Sequence, residues 1–200
     1  MVSAVITALE KNGPIYTMGK YVVAPASIDL LASAYLQMKI DGTLKVFYYE
    51  GDPGLAKFLE VHCNPNSVTY GCYLKTGDKT QLVGIGHISA PAHIGNGFKK
   101  AELSCFFFQE YQHRDITVPL SQMMLEQTFE RYPEIDFLFG ATPEKNRAML
   151  MFMTGLGFGH TSHPIPNYTT WEGDPCGVYI VWMSKEMWER LSPFRVVDSD

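Results

Sequence analysis

The sequence predicts an α/β (α+β mixed) fold: a central mixed, mostly antiparallel sheet of about six to seven strands flanked by helices. Three observations predict it. Apolar runs of strand length at residues 67–74, 81–89 and 98–108 follow one another with turn residues between them, as in an antiparallel meander. Two stretches of helical period precede the meander. After it, helical and strand-like runs alternate into the C-terminal region, which calls for helices on both faces of the sheet.

Taken in order, residues 1–10 carry a short apolar run without a basic start and read as mature chain, not as a signal peptide. Residues 20–24 suit a short strand. Ser27 then offers a cap for a helix over residues 28–38, which Gly42 ends, and a second helix over residues 53–62 stops before Asn64, Pro65 and Asn66. The meander turns at Thr76, Gly77 and Asp78, and a link from Pro91 to Gly97 leads into residues 98–108. That run is apolar on successive residues, as a central strand covered on both faces would be.

A polar connector from Gln109 to Thr117 precedes a helix over residues 118–131, where Pro119 is tolerable only in the first turn. Pro133 and Gly140 bound a strand at residues 135–139. Thr142 as N-cap, Pro143 in the first helical position and Gly157 as a left-handed C-cap define the next helix, whose apolar face is Met149, Phe152, Met153 and Leu156. Residues 160–173, rich in Pro and Thr, read as loop. A strand at 177–183 and a short helix at 185–191 close the pattern.

Two hundred residues suit one domain spanning residues 1–200. No apolar run reaches the roughly 18 residues that a membrane helix needs, so no membrane partner is expected. A net charge of −5 without a basic stripe disfavours nucleic acid, whose affinity comes from Lys and Arg neutralising phosphates. Cys63, Cys72, Cys105 and Cys176 form no CxxC pair, which favours a reducing cytoplasm and gives no metal signature. His160 and His163 lie in a Pro-rich loop without further ligands at zinc spacing. No metal is expected.

From Val68 to Leu191 the chain resembles the GNAT superfamily of N-acetyltransferases. In that family's last conserved helix an Asn is followed by Ala at three residues, Tyr at seven and Gly-Phe at eleven and twelve; here Asn146 is followed by Met149, Met153 and Gly157-Phe158. The family's central strand runs into a loop of pattern Gln/Arg-x-x-Gly-x-Gly/Ala, here Gln112-His113-Arg114-Asp115-Ile116-Thr117, with Asp115 and Thr117 at the positions of small residues. The resemblance makes residues 1–66 the variable N-terminal part and 67–191 the core.

The resemblance implies a GNAT-like acyltransferase that moves acetyl from acetyl-CoA to the primary amine of a small molecule or protein. Pantetheine would lie along Phe106, Phe107 and Phe108, and the pyrophosphate on Gln112, His113, Arg114, Asp115 and Thr117. Asn146 would hydrogen-bond the coenzyme. Glu110 and His87 are candidate bases. Because Met153 stands where many members have a donor Tyr and cannot donate a proton, Tyr168, Tyr179 and Tyr111 are replacement donors, with Tyr168 the one selected.

Two alternatives stay open from the residues. Asp115 or Thr117 can be read as an N-cap whose oxygen occupies the N–H groups a phosphate would use. The whole chain can be read as a catalytically inactive GNAT-fold binding or assembly protein, possibly phage-related. A homo-oligomer is an open expectation.

Overall fold

The computed structural model of the chain describes residues 14–194; the expectation about residues 1–10 lies outside the described residues. In chain order the elements are β1 (Tyr16–Met18), β2 (Tyr21–Pro25), α1 (Ile28–Asp41), α2 (Thr43–Phe47), α3 (Leu55–His62), β3 (Val68–Thr76), β4 (Lys79–Ile88), β5 (Ala92–Gly95) and β6 (Phe98–Phe107). A 3-10 turn (Gln109–Tyr111) leads to α4 (Arg114–Arg131), β7 (Phe137–Pro143), α5 (Arg147–Gly155), β8 (Gly159–His160), β9 (Ile165–Trp171), β10 (Asp174–Ser184) and α6 (Lys185–Leu191). Among the described residues only β6 with β7 pairs parallel, so the sheet is mixed and mostly antiparallel, as expected.

The chain divides into two compact units. Of the described residues, the first comprises residues 14–90 and Leu103–Met124, the second Pro91–Glu102 and residues 125–194, so β6 and α4 each contribute to both.

In the first unit β1, β2, β3, β4 and the second half of β6 pair antiparallel in that order. Helix α1 starts where Ser27 Oγ accepts the Leu30 N–H at 3.3 Å and stops at Gly42, whose φ of +85° is left-handed. Its buried face, Leu31, Ala34, Tyr35 and Met38, packs with Phe58 of α3 against Ile85, Phe106 and Phe108 of the sheet. Gly86, next to Ile85, faces the other way, because side chains alternate along a strand. A Cβ there would lie 2.2 Å from Met124 Sδ, so the glycine lets α4 approach that opposite face.

The start of α4 differs from the sequence expectation. The helix begins four residues earlier than residue 118, at Arg114, which places Pro119 inside it. A proline there cannot donate to the carbonyl four residues back, Asp115 O. Tyr21 Oη donates to that carbonyl instead, at 2.6 Å, so the missing helical bond is replaced from β2.

In the second unit the first half of β6 pairs parallel with β7 from Lys100↔Phe137 to Glu102↔Phe139, and with β5. Strand β10 pairs with β7, β8 and β9. The helix expected from Pro143 begins at Arg147, with Asn146 as its N-cap; Asn146 Oδ1 accepts the Met149 N–H at 3.1 Å. Thr142 and Pro143 belong to β7 because β10 continues alongside them, Val178 opposite Pro143, and Glu144 N–H donates to Gly177 O at 2.9 Å. The expected C-cap holds. Gly157 has φ +93°, its N–H donates to Thr154 O and the Phe158 N–H to Met153 O, a Schellman pair.

The described residues include ten strands, more than the sequence showed, because β1, β5, β8 and β9 are short or exposed edge strands. Strand β9 occupies the stretch read as loop: its side chains are mostly exposed, so no apolar alternation marks it, and pairing with β10 alone makes it a strand. Among the described residues no helix is long and apolar enough to cross a membrane. All four cysteines are free thiols.

Candidate active site

The site builds up from the end of β6. Phe106, Phe107 and Phe108 are buried. The Phe108 N–H donates to Val83 O at 3.0 Å, which ties this end of the strand to β4. Gly84 lies opposite Phe107, and a Cβ on it would stand 2.5 Å from Phe106 O, so the close approach requires glycine. The chain then makes its 3-10 turn, and Gln112 folds back so that Nε2 donates to Phe107 O at 2.9 Å. One polar group of the strand expected to face pantetheine is therefore taken by the protein itself.

Helix α4 follows. His113 O accepts the N–H groups of Ile116 at 3.0 Å and Thr117 at 2.8 Å, and the Thr117 hydroxyl also donates to it at 3.1 Å. Thr117 is buried by this arrangement. Neither Asp115 nor Thr117 caps the helix through its side chain, which overturns the N-cap alternative. The N–H groups of Arg114 and Asp115 have no acceptor among the described residues, and both residues are exposed. Two free N–H groups at the positive end of an 18-residue helix, whose first residue is the exposed Arg114, suit a bound anion. The exposed Asp115 carboxylate opposes it. The sequence missed that two of these donors are free, because this depends on where the helix begins.

His87 lies on β4 opposite Ser104 of β6 and is 8% exposed. Its Nδ1 is 2.8 Å from Thr69 Oγ1 on β3, and the Thr69 hydroxyl is also 2.7 Å from His62 O. The His62 ring stands edge-to-face with His87 at 4.8 Å and contacts Tyr48 Oη through Nε2 at 3.1 Å. Burial lowers the His87 pKa to about 4; burial, and then the neighbouring His87, lowers that of His62 to about 3. Both rings are neutral near pH 7. Thr69 and His62 carried no sequence signal, because only the strand register puts them next to His87.

The remaining expected residues are placed as follows. Glu110 sits exposed in the 3-10 turn, and burial raises the pKa of its neighbour Tyr111. Asn146, Tyr168 and Tyr179 belong to the second unit. The Asn146 side-chain oxygen is occupied by its own helix. Tyr168 is 61% exposed on β9, whereas Tyr179 on β10 is nearly buried with the Arg147 guanidinium 5.9 Å from its ring. Met153 is buried in the core, which explains an apolar residue at that position without any chemistry. The stretches expected to line an acceptor site, residues 90–97 and 163–174, contain the edge strands β5 and β9. Among the described residues no group of three or more His, Cys, Asp or Glu is placed to hold a metal ion.

No family model matches the sequence, and no curated protein matches it. Solved structures do. A ribosomal-protein-S5-alanine acetyltransferase from Vibrio fischeri superposes with a TM-score of 0.67 at 13% identity, over 88% of this chain and 99% of that one. A spermidine N-acetyltransferase from Vibrio cholerae, solved with CoA and spermine, gives a TM-score of 0.69 at 11% identity over 86% and 99%. An acetyl transferase from Salmonella typhimurium that modifies the N-terminal serine of ribosomal protein L7/L12 gives 0.67 at 12% over 86% and 99%. At these identities the likeness shows the fold: the chain has the GNAT fold.

Proposed function

We propose that the protein is an acyltransferase that moves acetyl from acetyl-CoA to a primary amine of a small molecule or protein. The observation that carries this reading is the junction of β6 and α4 on a GNAT fold, where the N–H groups of Arg114 and Asp115 have no protein acceptor. A pyrophosphate fits that chemistry: two N–H donors, the positive helix end and Arg114 would hold it. The pantetheine would run along the end of β6. That the similar structures include acetyltransferases of a polyamine and of ribosomal proteins supports an amine acceptor.

The chemistry this assigns is direct transfer. The amine nitrogen attacks the thioester carbonyl carbon, an N–C bond forms, the C–S bond breaks, and a proton passes from nitrogen to a base while the thiolate gains one. His87, neutral near pH 7, and Glu110, exposed in its turn, are the two candidate bases.

Calorimetric titration with acetyl-CoA tests the reading. Saturable heat that is weakened by Arg114→Ala is expected; the absence of heat at millimolar acetyl-CoA overturns it. Such a result would leave the GNAT-fold binding or assembly protein, for which the buried Met153 and the Gln112 contact to Phe107 O are the favouring observations.

A further inference from the structure

We infer that Thr69 is a positioning residue: it holds His87 in the tautomer protonated at Nδ1 and so leaves the Nε2 lone pair as the ring's only basic site. The inference rests on the reading above in its functional part, where His87 serves as base. The tautomer itself follows from counting protons.

A threonine hydroxyl has one proton and two lone pairs. Thr69 Oγ1 lies 2.7 Å from His62 O, and a carbonyl oxygen can only accept, so the proton is committed there. His62 is the last residue of α3, and carbonyls at the end of a helix lack intrahelical partners, which gives this bond its structural reason. Thr69 Oγ1 is then purely an acceptor towards His87 Nδ1 at 2.8 Å, and that bond exists only if Nδ1 carries hydrogen. A neutral imidazole has one N–H, so Nε2 is left with the lone pair.

The arrangement has little freedom. Thr69 and His87 are directly opposed in the β3–β4 ladder, and a β-branched side chain has few χ1 choices. The titratable group facing the ring is His62 on α3, edge-to-face at 4.8 Å, and Ser104 is its strand partner on β6. His87 Nε2 has no protein partner among the described residues, in contrast to His62 Nδ1, which is sealed in the core without one. The lone pair of His87 is thus the one left over for a reacting proton.

Nitrogen-15 NMR of histidine-labelled protein, together with steady-state kinetics, tests this. In the wild type the His87 proton is expected on Nδ1. Thr69→Val, which keeps the shape and removes the acceptor, should move it to Nε2 and lower kcat by about 10-fold or more, since a positioned base is worth roughly 10²–10⁴ in rate, with KM for acetyl-CoA within about twofold. Thr69→Ser should restore both the tautomer and kcat. A wild-type proton on Nε2, or a Thr69→Val protein with unchanged tautomer and kcat, overturns the inference. If the wild type does not turn over acetyl-CoA, the proposed activity fails, while the nitrogen spectrum still decides the tautomer.

Discussion

At the scale of single residues, the anion site proposed at the start of α4 is a balance between Arg114, two free N–H groups and the Asp115 carboxylate. A like charge about 4 Å from a phosphate costs roughly 1 kcal/mol in water and more near a protein surface. Asp115→Asn is therefore expected to tighten acetyl-CoA binding by about 5–10-fold in calorimetry, because ~1.4 kcal/mol is a factor of ten. The same change should lower stability slightly, by about 0.3–1 kcal/mol, since an acidic residue in the first turn favours the helix dipole. An unchanged Kd would remove the pyrophosphate from this position. That Asp115 departs from the small residue of the family pattern was legible in the sequence. Whether its side chain caps the helix was not, since a capping hydrogen bond depends on the backbone dihedrals at the helix start.

At the scale of elements, α5 shows which boundary signals survive tertiary competition. Its C-terminus was legible because Gly157 adopts φ +93°, a conformation costing other residues roughly 1–2 kcal/mol. A Cβ at Gly157 would also stand 2.4 Å from Leu191 Cδ1. Gly157→Ala is thus expected to destabilise by about 1–3 kcal/mol, measured as a lower urea midpoint at constant m. A midpoint within experimental error of the wild type would contradict the strain argument. The N-terminus was not legible, because Thr142 and Pro143 suit a helix start as well as a strand end, and pairing with β10 decides for the strand. Helix α4 teaches the same lesson: Pro119 argued for a late start, and the Tyr21 hydroxyl, 94 positions earlier in the sequence than Asp115, removed the objection.

At the scale of the whole molecule, the buried histidines set a pH dependence of stability. Their folded pKa values, about 3 for His62 and about 4 for His87, lie below the ordinary 6.5. The unfolded chain therefore binds protons below pH 6.5 that the folded chain refuses. Stability is complete above that value and declines as pH falls towards 4 and 3. Each histidine contributes at most about 1.4 kcal/mol per pH unit within its window. Urea midpoints should be level above about pH 7 and fall by pH 5, and His87→Gln should flatten the decline. A flat profile from pH 7 to 5 would show that neither ring is buried as described. Asp52, held low in pKa by hydrogen bonds from Tyr35 and Lys39, contributes stability that is lost only as pH falls below its ordinary value of 3.8, outside the measured span from pH 7 to 5.

The sequence by itself determined the mixed α/β class, the main strands, the amphipathic α5 with its glycine stop, and the residues of the β6–α4 junction. Those features are encoded locally, by apolar period, by the φ freedom of glycine and by side chains near in sequence. Only the tertiary structure decided where α4 and α5 begin, that β9 is a strand, that Gln112 closes on Phe107 O, and that Thr69 and His62 stand beside His87. Each of these depends on a hydrogen-bond partner whose position the register or the folded backbone sets. The spacing of residues along the chain does not contain that information.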